Sequence, residues 1–151
     1  MRIKIKNILV GTDFSECSSA ALEYGRGMAK QFGARLHVLH TVEVVPGPDL
    51  VGMGGVVAAV PQLHKELEDA ARNQLETSVT AADRRDLSAT TMMVTNGETP
   101  AQAIADYATE HDIDLIVIGT HGRRGLSHLV MGSVAEKVVR TAPCPVLTVK
   151  K

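Results

Sequence analysis

The run Leu115-Ile116-Val117-Ile118 has no polar residue at alternate positions and closes on Gly119. A strand with one wet face alternates; a strand covered on both faces does not. The run therefore predicts a buried strand of a parallel sheet lying between two helical layers. The rest of the chain supplies matching parts. Ile8-Leu9-Val10 is a second short β-rich run, with a strand expected to begin near Ile3 and to end at Gly11-Thr12-Asp13. Ser15 or Asp13 would cap a helix reaching about Phe32, with Ala20, Ala21, Tyr24, Met28 and Phe32 at helical spacing and Gly33 as its C-terminal cap.

Leu36 to Val42 reads as the second strand, and Ala89 to Thr95, closed by Asn96-Gly97, as the third. Between them, Leu63, Leu67, Ala70, Ala71, Leu75 and Val79 mark a helix whose other face, with Lys65, Glu66, Glu68, Asp69, Arg72 and Glu76, is solvated. Thr99-Pro100-Ala101-Gln102 predicts a capping box with Pro in the first turn, opening a helix to about His111. Ser133-Val134-Ala135-Glu136 predicts a second box, for a helix to about Thr141 with Lys137 and Arg140 in its last turns. Pro143 stops that helix, and the stretch from Pro145 to Val149 is the fifth strand. The stretch from Val44 to Pro61, with three prolines and four glycines, reads as a long loop, either a recognition element or a tolerated insertion.

The order is β-α-β-α-β-α-β-α-β. Right-handed crossovers favour one α/β domain over residues 1–151, a doubly wound, Rossmann-like five-stranded parallel sheet in the order 3-2-1-4-5 with helices on both faces. The 151 residues suffice for one core, which would be aliphatic, since the chain has no Trp, two Tyr and two Phe. That scarcity argues against stacking recognition of single-stranded nucleic acid, and a net charge of −1 argues against nucleic acid or an anionic membrane as partner. No run approaches the length of a membrane span, and the run near the N-terminus is too short for a signal-peptide core. Cys17 and Cys144 stand outside any metal-ligand spacing and fit buried thiols of a reducing compartment, so the expected location is cytoplasmic.

In this sheet order the winding reverses between strands 1 and 4, where doubly wound folds bind ligands. Two polar loops meet there: Gly11-Thr12-Asp13, and Gly119-Thr120-His121-Gly122-Arg123-Arg124-Gly125, which leads on to Gly132-Ser133. Glycines let backbone N–H groups approach an anion, a helix N-terminus adds donors, the Ser133 hydroxyl could bond a phosphate oxygen, and Arg123 or Arg124 adds charge. The pattern is neither a Walker A loop nor GxGxxG. The structural reading stands beside it: Gly119 ends a strand, Gly132 allows close packing, and Ser133 and Asp13 are helix caps. His121 and His128 flank the arginines as candidate general bases or solvated loop residues; Cys17, in a first helical turn, is a candidate reactive thiol or a packed one; Cys144 enters a strand; and His40 reads as a satisfied core histidine.

Ile8-Leu9-Val10-Gly11-Thr12-Asp13-Phe14-Ser15, Pro143-Cys144-Pro145-Val146-Leu147 and the spacing Gly119, two residues, Gly122, nine residues, Gly132-Ser133 resemble the ATP-binding branch of the universal stress protein family. The resemblance implies a cytoplasmic homodimer that binds ATP and acts in stress responses, with the last strands, Pro145 to Val149, paired across the interface. It implies that Thr12 and Asp13 lie near the ribose or adenine, that the Thr41 backbone meets the adenine edge, that Gly119, Gly122 and Arg123 line the ribose and phosphates, and that Gly132, Ser133 and Val134 hold the phosphates. Magnesium would be held mainly by phosphate oxygens and water. Two rival functions remain open. One is a slow ATPase or phosphotransferase using His121, Ser127 or Ser133. The other is a scaffold that binds no nucleotide and works through a protein partner.

Overall fold

A computed structural model describes residues 3–42, 60–95, 98–122 and 131–151. The expectations for Val44 and the loop after it as far as Ala59, for Asn96-Gly97, and for Arg123, Arg124, Gly125, Ser127 and His128 lie outside the described residues, while Val60 and Pro61, expected in that loop, open a helix in which Pro61 sits in the first turn. The elements are β1 (Asn7–Gly11), α1 (Glu16–Phe32), β2 (Arg35–Thr41), α2 (Val60–Ser78), α3 (Ala81–Asp86), β3 (Thr90–Val94), α4 (Pro100–Glu110), β4 (Leu115–Gly119), α5 (Ser133–Thr141) and β5 (Val146–Val149). All strand pairs are parallel, and the order is β3-β2-β1-β4-β5, as the sequence predicts. All five residues of β4 are buried. Among the described residues no helix is long and apolar enough to cross a membrane.

Two apolar clusters cover the sheet. Residues of α1 and the end of α2 pack with Ile8, Val10, Leu36, Val38 and Val117 on one face. Residues of α4 and α5 pack with Leu9, Leu39, Ile116 and Ile118 on the other. Consecutive strand residues enter opposite clusters, as the pleat requires.

The strand expected from Ile3 begins at Asn7. β2 starts only at Arg35, the partner of Asn7, and the Asp114 carboxylate takes the Lys6 and Asn7 N–H groups at 2.7 and 3.0 Å. The helix caps at Ser15 and Gly33 are as expected: Ser15 accepts the Ser18 N–H, and Gly33 has φ of 64°. The buried stripe of α1 differs from the expected one. It is Cys17, Ser18, Ala21, Leu22, Gly25 and Ala29, while Tyr24 is 58 % and Phe32 45 % exposed. The reason is close approach: a Cβ on Gly25 would sit 2.5 Å from Val10 Cγ2, so small residues, not bulky ones, face the sheet.

In α2 the expected core residues Leu63 and Leu67 are exposed, and only Leu75, with Val79 just beyond the helix, reaches the core. The short helix α3 is absent from the sequence reading. Its signal is Thr80-Ala81-Ala82-Asp83, a capping box in which the Thr80 hydroxyl and the Asp83 carboxylate take each other's backbone N–H. Asp83 is 4 % exposed and also accepts from Arg26 Nε at 2.9 Å, tying α3 to α1. Burial pushes the Asp83 carboxyl up, but the bonds from Thr80 and the Arg26 charge outweigh it and leave it below its usual value.

Only half of the expected box forms at Thr99. The Thr99 hydroxyl accepts the Gln102 N–H, but the Gln102 side chain turns to Asp106 at 2.8 Å. At α5 the cap is Gly132, and Ser133 is the first helical residue; Glu136 pairs with Arg140 at 3.2 Å instead of reaching back. Cys17 and Cys144 are free thiols. Burial first, and then the nearby Asp114 charge, push the Cys144 thiol up.

Helical glycines of α1 should respond with opposite signs. Gly25→Ala drives a methyl into Val10 and should destabilise by about 2 kcal/mol. Gly27→Ala, with open space around its Cβ, should stabilise by up to about 1 kcal/mol. Denaturant midpoints of the two variants check both. A second expectation concerns His37, whose Nδ1 lies 2.9 Å from Tyr107 Oη. Burial first, then the His111 and Arg35 charges, lower its pKa from 6.5 to about 4. The unfolded chain therefore takes a proton near pH 6.5 that the folded chain refuses until about pH 4. This contribution is fully present above pH 6.5 and is lost as pH falls toward 4; His37→Asn should flatten the decline over that window in pH-dependent denaturation.

A candidate ligand crevice at the ends of the first and fourth strands

The helix after β1 lies on one face of the sheet and the helix after β4 on the other, so the chain parts above the carboxyl ends of these adjacent strands. The first wall is the β1–α1 turn. Thr12 N–H donates to the Leu39 carbonyl at 2.9 Å, and the Thr12 hydroxyl accepts the Phe14 N–H and meets Ser18 Oγ, both at 3.1 Å. Its hydroxyl is thus engaged within the turn, facing α1. Asp13 Oδ1 accepts the Ser15 N–H at 3.0 Å.

Phe14 has φ of 63°, a left-handed conformation that is costly for an aromatic residue. Two contacts hold it: the Thr12 hydroxyl on its N–H, and the His40 ring, whose centroid lies 4.3 Å from its own. His40 Nδ1 lies 2.8 Å from the Thr12 carbonyl, which can only accept, so Nδ1 carries the proton. His40 is the satisfied core histidine that the sequence suggests. The strained Phe14 has no sequence signal beyond its place in a turn. Behind this turn, between α1 and α2, an open cavity of about 210 Å³ is lined by Thr12, Phe14, Ser19 and Thr77 among others.

The second wall follows β4. Gly119 packs on the first turn of α1: a Cβ there would lie 2.9 Å from the Cys17 carbonyl carbon and 3.0 Å from its sulfur. The Cys17 thiol donates to the Val149 carbonyl at 3.2 Å, which identifies it as a packed thiol. Thr120 N–H donates to the same carbonyl at 2.9 Å, and Thr120 Oγ1 lies 2.9 Å from His121 Nδ1. Thr120 was not among the expected site residues, yet its own carbonyl takes the Gly132 N–H at 2.7 Å and seats the start of α5 on the β4 loop.

Glycine is what lets these parts meet. A Cβ on Gly122 would sit 2.7 Å from Asp13 Oδ2, and one on Gly132 would sit 3.0 Å from the Thr120 carbonyl oxygen and 3.6 Å from His121 Cα. The first intrahelical bond of α5 is Glu136 N–H to the Gly132 carbonyl, so the N–H groups of Ser133, Val134 and Ala135 have no acceptor within the helix. Gly132 provides no side-chain cap and Ser133 is exposed. Unpaired first-turn donors and the helix dipole favour negative charge at a helix end of this kind.

The structure thus brings Asp13, Gly122, Gly132, Ser133 and Val134 to one crevice. Gly119 lies beneath it, Thr41 ends β2 on the far side of β1, and Arg123 lies outside the described residues. No group of three or more His, Cys, Asp or Glu among the described residues is arranged to hold a metal ion.

A doubly wound parallel sheet with a glycine-lined helix N-terminus at its switch point defines an α/β domain of the Rossmann-like class. The universal stress protein family model matches residues 4–150, and the chain belongs to that family. A universal stress protein of Thermus aquaticus is 36 % identical over 146 residues, covering 96 % of this chain and 98 % of the relative. One of Methanocaldococcus jannaschii is 34 % identical over 146 residues, covering 97 % and 82 %. Among solved structures, a universal stress protein from Lactobacillus plantarum matches with a TM-score of 0.76 and 26 % identity over 98 % of this chain and 99 % of that one. One from Archaeoglobus fulgidus, in complex with dAMP, shares the fold at a TM-score of 0.63 and 23 % identity, covering 99 % and 100 %.

The two glycines of the β4 loop should separate fold from site. Gly119→Ala meets the Cys17 backbone and should cost about 2 kcal/mol of stability. Gly122→Ala meets only the end of the Asp13 side chain and should change stability by less than about 1 kcal/mol, while displacing that carboxylate. Paired denaturation curves check the contrast.

Proposed function

We propose that this universal stress protein binds an adenine nucleotide, ATP with magnesium, in the crevice between β1 and β4, and acts as a cytoplasmic homodimeric regulator of stress responses. The observation that carries the reading is the seating of Gly132 on Thr120 beside the Gly122–Asp13 contact. It leaves the first-turn N–H groups of α5 available to phosphate oxygens. The Ser133 hydroxyl and the Val134 N–H would join them, with Arg123 supplying charge from the same loop. Asp13 would bind the ribose or base, and Thr12 would act through its turn. The complex of the Archaeoglobus fulgidus protein with dAMP supports a nucleotide in a fold of this kind.

Magnesium bound with ATP would neutralise phosphate charge. The ion would be held mainly by phosphate oxygens and water, so the crevice needs no cluster of protein ligands for it, and none is arranged among the described residues. The homodimer would form through β5, which pairs with β4 on one side only and keeps Val146, Leu147 and Thr148 half-buried.

Calorimetry with magnesium and ATP tests the reading. Wild type should bind, and Gly132→Val, whose side chain would press on the Thr120 carbonyl and the His121 backbone, should lose at least about tenfold in affinity. Absence of binding by the wild type would sink the reading.

A further inference from the structure

Among the described residues, three that are not glycine have a left-handed backbone: Phe14, Ser88 and Asp112. Ser88 and Asp112 directly follow the caps that close α3 and α4, where chains commonly turn this way. Phe14 follows a strand instead, at the crevice, and its φ of 63° suits glycine rather than an aromatic residue. A residue in such a conformation persists only where its surroundings over-determine it, and such residues cluster at ligand sites.

The surroundings of Phe14 are specific. Its own N–H goes to the Thr12 hydroxyl at 3.1 Å, and the next N–H, on Ser15, goes to Asp13 Oδ1 at 3.0 Å. Its ring packs behind the turn, against the cluster of α1 and α2 and beside the cavity between those helices. The His40 ring, fixed by its bond to the Thr12 carbonyl, lies 4.3 Å away. Asp13 faces the other way: a Cβ on Gly122 would sit 2.7 Å from its Oδ2. One carboxylate oxygen is thus tied to the backbone just after Phe14, and the second is delivered to the crevice. Rotation about φ of Phe14 turns Asp13 relative to α1, and α1 is seated on β4 at Gly119. The ring lies on the α1 side of the sheet, so its effect on a ligand in the crevice passes through Asp13.

We infer that Phe14 is the positioning residue for Asp13: its left-handed backbone, held by its ring against His40, aims the Asp13 carboxylate at the ribose or base of the bound nucleotide. The inference rests on the nucleotide reading above. The test is calorimetric titration with AMP and, separately, with inorganic tripolyphosphate. It compares wild type, Asp13→Ala, Phe14→Ala, Phe14→Gly and the double variant carrying Asp13→Ala and Phe14→Ala. Alanine removes the ring but keeps the cost of a positive φ, so Phe14→Ala should bind AMP about tenfold more weakly. Glycine takes that φ without strain and needs no ring to hold it, so Phe14→Gly should stay within about threefold of wild type. Once Asp13→Ala is in place, adding Phe14→Ala should change AMP affinity by less than about twofold, because its effect runs through that carboxylate. Phe14→Ala and Phe14→Gly should bind tripolyphosphate as wild type does, because the donors at the start of α5 are untouched. Wild-type affinity of Phe14→Ala or Asp13→Ala for AMP, an equal loss in Phe14→Ala and Phe14→Gly, a further loss in the double variant, or a matching loss of tripolyphosphate binding in Phe14→Ala would each overturn the inference. Failure of the wild type to bind either ligand would overturn the nucleotide reading itself, and the inference with it.

Discussion

The pairing of β1 with β4 is the constraint on which the rest depends. These two strands are neighbours in space, Ile8 to Val10 against Leu115 to Val117, and their following helices depart to opposite faces of the sheet. No loop can close over both strand ends, so a crevice is a consequence of the winding rather than an addition to it. Everything at the crevice then follows from local chemistry on either lip. One lip is a turn pinned by Thr12, Asp13 and His40; the other is a glycine loop pinned to Val149 and Gly132.

The glycines divide by what they permit. Gly25 and Gly119 let α1 approach β1 and β4 closely, and they belong to the packing. Gly122 and Gly132 let two loops and a helix start converge without side chains between them, and they belong to the crevice. The spacing that marks the family thus serves two purposes. Its first glycine is set against the backbone of α1, and its later ones let Asp13, the β4 loop and the start of α5 come together.

Much of this was legible in the residues. The apolar run of β4 predicts a strand covered on both faces, and Ser15, Gly33 and Thr99 predict helix ends by their ordinary capping chemistry. The glycine spacing after β4 predicts the crevice. What was illegible depended on distance between elements. Two apolar stripes coexist on α1, and hydrophobicity favours the one with Tyr24 and Phe32; the observed stripe wins because Val10 leaves no room for bulk beside Gly25. Leu63 and Leu67 obey helical periodicity yet sit where α2 meets no sheet. The left-handed Phe14 is held by a neighbour far away in sequence, His40, which no local pattern encodes.

The contact of Asp114 with the backbone at Lys6 joins residues 108 apart, whereas β1 and β2 pair across the single helix α1. Closing the longer loop loses more chain entropy, and pairings of high sequence separation form late. The sheet is therefore two halves, β1-β2-β3 and β4-β5, that must find each other, and the crevice is their seam. Asp13 comes from one half and Gly122 and Gly132 from the other. A ligand spanning that seam has no binding surface until the halves have met. Its affinity is then added wholly to the assembled chain, so that occupancy and folding become a single thermodynamic quantity.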